Sequence, residues 1–173
     1  MQKKYKCLLF DLDGTLLDTA PEFLTCLNAL LKKNKKQSVT YDFVRNRVSD
    51  GVGRLIQDSF LIDENHYEFE ELRNDLLNEY GKNYLLSKTF AGVDEFLDEL
   101  SRNKIDWMIV TNKPKKFSRK ICEKFEWQNH ATAIVSPEDV YGKRKPDPAS
   151  LDAALAKTSI KKDQSIYIGD NWR

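Results

Sequence analysis

The sequence predicts an α/β fold: a parallel sheet with helices on both faces, interrupted by an inserted all-helical segment. Three observations carry this. Short apolar runs at 7–10, 105–110, 131–135 and 165–168 alternate, after about Thr89, with segments of helical periodicity. Every gap between those strands is long enough for a right-handed crossover. Residues 18–87 show helical spacing and no strand signal.

The elements follow in order. Cys7-Leu8-Leu9-Phe10 is a buried strand. Asp18 or Thr19 can cap a helix that Pro21 begins, with Phe23, Leu24, Leu27, Leu30 and Leu31 on one face. The run Lys32 to Lys36 is its solvated end. Thr40 can cap a second helix carrying Tyr41, Val44 and Val48. Ser49-Asp50-Gly51-Val52-Gly53 is a glycine-punctuated turn before Leu55, Ile56 and Phe60. A long helical segment from Glu64 to Leu86 follows, which Gly81 could interrupt. Further on, Val93 to Leu100, Phe117 to Phe125 and Leu151 to Leu155 mark helices between the later strands. The expected division is 1–17 with 88–173 as the α/β core, and 18–87 as a helical insertion between its first two strands.

The bulk numbers exclude several classes. Lys plus Arg is 28 and Asp plus Glu 27, a net charge of +1, which gives no reason to expect nucleic acid or an anionic membrane. No apolar run approaches the roughly 20 residues that span a bilayer. Met1 to Lys6 carries no leader pattern, and Cys7, Cys26 and Cys122 have no metal spacing, so reduced thiols in the cytoplasm are expected.

The chemistry concentrates where strands end. In extended backbone, residues i and i+2 point the same way, so Asp11 and Asp13 can both face one site at the end of the first strand. Gly14 permits a sharp turn, and Thr15 adds a hydroxyl beside backbone donors that suit an anion. Thr111 and Asn112 follow the second strand, Asp170 follows the last, and Lys145 lies in a polar loop before a helix. In a parallel sheet, ligands bind outside the carboxyl ends of the strands, where these residues fall.

The run FDLDGTLLDTAP from Phe10 to Pro21 resembles the first motif of the haloacid dehalogenase-like hydrolases, in their phosphoglycolate phosphatase-like branch. Val110-Thr111-Asn112-Lys113-Pro114, Lys145-Pro146-Asp147-Pro148 and Gly169-Asp170 resemble the second, third and fourth motifs, in order. The resemblance implies a Rossmann-like core, a helical cap and an Mg²⁺-dependent phosphatase working through an aspartyl-phosphate. It implies Asp11 as nucleophile, Asp13 as general acid and base, and Thr111, Asn112 and Lys145 around the phosphoryl group. Asp11, Asp170 and the Asp13 backbone carbonyl are the implied metal ligands. Lys113 is given no role and is read as a possible surface charge.

The loop Ser49 to Gly53, with Asp50, Gly51 and Val52, resembles the glycine-containing cap loop of phosphoglycolate phosphatase-like proteins, against the alternative of a plain helix-to-helix turn. The expected substrate is a small phosphorylated metabolite. Phosphoglycolate leads, and a sugar phosphate such as N-acetylmuramic acid 6-phosphate is the alternative. A haloacid dehalogenase would lack Asp13, and a receiver domain would lack the helical insertion. A non-catalytic binding protein or an inactive fragment is the remaining alternative, because the fourth motif continues with an aspartate four residues after Asp170 and the chain stops at Arg173. A truncated C-terminus is therefore expected.

Overall fold

The computed structural model describes residues 5–171. The expectations about a leader at Met1 to Lys6 and about the end at Arg173 lie partly or wholly outside them. Two compact units are present: Met1–Leu17 with Thr89–Arg173, and Asp18–Lys88.

Among the described residues, the first unit is built on a four-stranded sheet in the order β5-β4-β1-β6, every neighbouring pair parallel. Its strands are β1 (Cys7–Phe10), β4 (Asp106–Val110), β5 (Ala133–Val135) and β6 (Ser165–Ile168). The period-2 alternation of side chains sorts the core onto two faces. Cys7, Leu9, Met108, Val110 and Val135 form one buried cluster with Ala154 of α7 (Ala149–Leu155). On the other face Phe10 meets Phe96 of α5 (Val93–Arg102) edge to face at 6.2 Å, and Trp107 Nε1 donates to Ser101 Oγ at 3.4 Å. Helix α6 (Lys115–Lys124) buries Phe117, Ile121 and Cys122. All four residues of β6, at the edge of the described sheet, are only half-buried.

The second unit is helical: α1 (Ala20–Lys33), α2 (Tyr41–Arg45), α3 (Val52–Phe60) and α4 (Phe69–Asn83). Stacking of Phe23 on Tyr80 at 4.2 Å ties α1 to α4. Of the two candidate caps of α1, Asp18 makes the bond, its Oδ1 accepting from Ala20 N at 3.3 Å, whereas Thr19 makes no capping bond. Thr40 caps α2 as expected, accepting from Phe43 N. The long helix starts at Phe69 rather than Glu64, because 64–68 is spent in turns, and Gly81 continues it. Two strands went unread: β2 (Leu17–Asp18) and β3 (Lys88–Thr89) pair as a two-stranded sheet, too short to show any periodicity. All three cysteines are free and buried, and burial pushes the Cys7 and Cys26 thiols up to about 11 and Cys122 to about 12. No helix among the described residues is long and apolar enough to cross a membrane.

The glycine-punctuated segment is mostly helix. Val48–Asp50 forms a single 3₁₀ turn, Val52 and Gly53 open α3, and Gly51 alone forms the joint, at φ 93° and ψ 170°. That conformation is essentially restricted to glycine. Nothing lies within 4 Å of where a Cβ on Gly51 would stand, so any penalty comes from the backbone alone. Gly51→Ala should therefore lower the unfolding free energy by about 1–3 kcal/mol. Gly53→Ala, inside the helix, should change it by under about 1 kcal/mol, in the stabilising direction. Urea denaturation of both variants checks the contrast; equal midpoints would remove the strain argument.

Candidate active site

The site is assembled from four separate strand or loop ends. Asp11 immediately follows β1, and its backbone N donates to Ile168 O of β6 at 2.9 Å. Gly14, at φ 85°, turns the chain sharply, its N donating to Leu17 O at 2.8 Å. Thr15 Oγ1 is buried there without a hydrogen-bond partner among the described residues. Thr111 follows β4, Lys145 lies between the short 3₁₀ helix Pro137–Val140 and α7, and Asp170 stands exposed just after β6.

The Lys145 ammonium is the hub. It is 5% exposed, so it must find its partners inside the protein. It donates to Asp11 Oδ1 at 2.7 Å, Val110 O at 2.9 Å and Tyr167 OH at 2.6 Å, which uses its three protons. Burial pushes Asp11 above the usual carboxylate range, against the pull of Lys145. Burial likewise pushes Lys145 below the usual lysine range, against the pull of Asp11. Desolvation thus outweighs pairing on both sides. Burial also raises the Tyr167 phenol, with Asp11 and Asp170 adding to it, so it stays neutral and accepts from the ammonium. Asp170 carries its charge close enough to act on both Lys145 and Tyr167.

Asp11 keeps one oxygen open. Its Oδ1 accepts from Lys145 and from Leu12 N at 2.7 Å, while Oδ2 has no partner among the described residues. Thr111 is buried, and its Oγ1 accepts from Lys113 N at 3.0 Å, which leaves the hydroxyl proton to donate elsewhere.

The Asn112 side chain is engaged with the backbone of Lys145. Its Nδ2 donates to Lys145 O at 3.1 Å, and its Oδ1 accepts from Lys145 N at 2.8 Å. The amide is therefore a two-way clasp on the backbone of Lys145. Lys113 is not a surface charge: it is 6% exposed, with Nζ 2.8 Å from Asp13 Oδ1. Its partner lies 100 residues away in the chain, so only the assumption that carboxylates two residues apart need two cations could have found it. Ser49 to Gly53 belong to the helical unit, where they form the junction described above. Lys143, two residues before the hub, pairs at the surface with Asp147 at 3.5 Å.

Among the described residues, no group of three or more His, Cys, Asp or Glu side chains gathers as a metal site. The side-chain donors that the strand ends carry, from Asp11, Asp13 and Asp170, are all oxygens, which suits Mg²⁺, a cation that takes one or two carboxylates and keeps several waters. They do not fit a metal that needs a full set of nitrogen or sulfur ligands.

The profile of the haloacid dehalogenase-like hydrolases matches residues 8–173. The chain is 32% identical over 171 residues to an N-acetylmuramic acid 6-phosphate phosphatase of Pseudomonas aeruginosa, covering 98% of this chain and 75% of that protein. It is 33% identical over 173 residues to a phosphoglycolate phosphatase of Xanthomonas campestris pv. campestris, covering 97% of this chain and 76% of that protein. In fold it superposes on a predicted phosphoglycolate phosphatase from Haemophilus somnus with a TM-score of 0.83 at 23% identity, over 98% of this chain and 79% of that one.

The clasp makes a prediction. Asn112→Ala removes both bonds to Lys145 and leaves a backbone N–H short of its partner, which should cost about 1–3 kcal/mol of stability. Because the clasp fixes the chain that carries the hub ammonium, phosphomonoesterase turnover should fall as well. Denaturation midpoints and initial rates on the same preparation check this, and unchanged values of both would mean that the amide positions nothing.

Proposed function

The chain belongs to the haloacid dehalogenase-like hydrolase family, and from that premise we propose that it is an Mg²⁺-dependent phosphatase acting through an aspartyl-phosphate on Asp11. The supporting observation is the polarity of Asp11: Lys145 and Leu12 N hold Oδ1, and Oδ2 faces no protein donor among the described residues. A carboxylate tethered at one oxygen has the other available as a nucleophile.

In this reading Asp11 Oδ2 attacks phosphorus and the bond from phosphorus to the leaving oxygen breaks. Asp13 gives its proton to that oxygen. Asp13 then takes a proton from the water that attacks phosphorus, and the bond to Asp11 breaks to release phosphate. Thr111 donates its free hydroxyl proton to a phosphoryl oxygen. Lys145 offsets the charge gathered on Asp11 and on the transferring group. Asn112 serves the same end indirectly, through the backbone of Lys145. Mg²⁺ would be held by Asp11, Asp170 and the Asp13 carbonyl, and would supply charge compensation for the phosphoryl oxygens.

Asp11→Asn should lower turnover of para-nitrophenyl phosphate by at least about 10³-fold with the fold intact, since the attacking oxygen is gone. A loss within about tenfold, a barrier change near 1.4 kcal/mol, would overturn the assignment. Chelation should abolish activity, and Asp170→Ala should raise the Mg²⁺ concentration needed for half-maximal rate; full turnover without metal would contradict the ligand set.

The substrate reading is a small phosphomonoester, with the helical unit acting as a cap that discriminates leaving groups. Phosphoglycolate leads, on the resemblance of the Phe10 to Pro21 run and of the Ser49 to Gly53 segment. A sugar phosphate is the second reading, supported by the similarity to N-acetylmuramic acid 6-phosphate phosphatases. Comparing kcat/KM for the two compounds decides between them: a hundredfold preference, about 2.7 kcal/mol, for the sugar phosphate would displace the lead.

A further inference from the structure

Lys113 is the buried charge that this mechanism leaves without a task. Its Nζ lies 2.8 Å from Asp13 Oδ1, and the two side chains are 4% and 18% exposed. Its backbone is held on both sides. Lys113 N donates to Thr111 Oγ1, and the ring of Pro114 fixes the next residue at φ −54° as α6 begins. The ammonium therefore reaches Asp13 from a fixed origin. Asp13 Oδ2 has no partner among the described residues.

The geometry points to Lys113 as a positioning residue for Asp13: it grips Oδ1 so that Oδ2 is the oxygen presented for proton transfer. This role rests on the reading of Asp13 as general acid and base. A carboxyl group held at one oxygen loses the torsional freedom that would let either oxygen, or neither, meet the leaving group. Proton transfer in a transition state depends steeply on such alignment. Lys145 is fully used by three other acceptors, so it is no substitute.

The role predicts a dependence on leaving group. Para-nitrophenolate departs with little protonation, whereas an alkoxide needs the acid. With Mg²⁺ present, Lys113→Met in the full chain should lower kcat for an alkyl phosphomonoester such as phosphoglycolate or glycerol 2-phosphate by about 100-fold or more. The loss on para-nitrophenyl phosphate should stay under about tenfold, with KM for both compounds nearly unchanged. In an Asp13→Asn background, adding Lys113→Met should cost nothing further, because the lysine acts through a carboxylate no longer there. The double variant leaves no unpaired buried charge, so it stays informative even if the single variant fails to fold by circular dichroism.

Equal losses on both kinds of leaving group, a raised KM with kcat intact, or additive losses in the double variant would each overturn the role. Inactivity of the wild type toward every phosphomonoester would remove the phosphatase reading, and this role with it. An active wild type with any of those three outcomes removes only Lys113.

Discussion

Two carboxylates two residues apart at the mouth of a buried sheet cannot both be ionised in a poorly hydrated setting unless cations accompany them. The rest of the site answers that constraint. Lys145 stands against Asp11 and Lys113 against Asp13, each ammonium almost wholly buried. One turn supplies both arrangements. Thr111, Asn112 and Lys113 are consecutive, and their side chains respectively accept from the Lys113 backbone, clasp the Lys145 backbone and pair with Asp13. Buried ion pairs contribute little net stability, because desolvation consumes most of the attraction. Burial dominating the titration of both Asp11 and Lys145 expresses the same balance. What the pairs give in return is placement: each carboxylate has one oxygen anchored and one open.

The division between what the sequence disclosed and what it hid follows from range. Strands such as Cys7–Phe10 and Ser165–Ile168 announce themselves by local apolar runs, and the polar residues at their ends identify the rim. Those signals are contained in a few consecutive residues. The clasp of Asn112 and the burial of Lys113 went unread because their partners lie far along the chain, 33 and 100 residues away. A lysine before a proline, in a run of further lysines, reads as a surface turn until the fold places Asp13 against it. The two-residue strands β2 and β3 fail for another reason: a period of two cannot be seen in two residues.

The two units also use a common device. In the helical unit, Asn28 donates through Nδ2 to Val39 O and accepts at Oδ1 from Val39 N. Asn112 does the same for Lys145. A side-chain amide has one donor side and one acceptor side, so it can satisfy both backbone groups of one residue as a neighbouring strand would. Each clasp fixes a loop residue without a strand beside it. A carboxylate or a hydroxyl could not offer both halves in that fixed geometry.

The strand order has a consequence for how the molecule comes into being. β1 lies in the middle of the sheet, yet its partners β4 and β6 begin at Asp106 and Ser165, after the whole helical unit has been made. On a ribosome the first strand emerges with no neighbour to pair with and must wait, its apolar face uncovered, while Asp18–Lys88 can already collapse on local contacts. Closing that long loop costs little more entropy than closing one half its length. The delay is therefore one of time rather than energy, and Asp11, at the end of β1, rides on a segment that waits long for its neighbours.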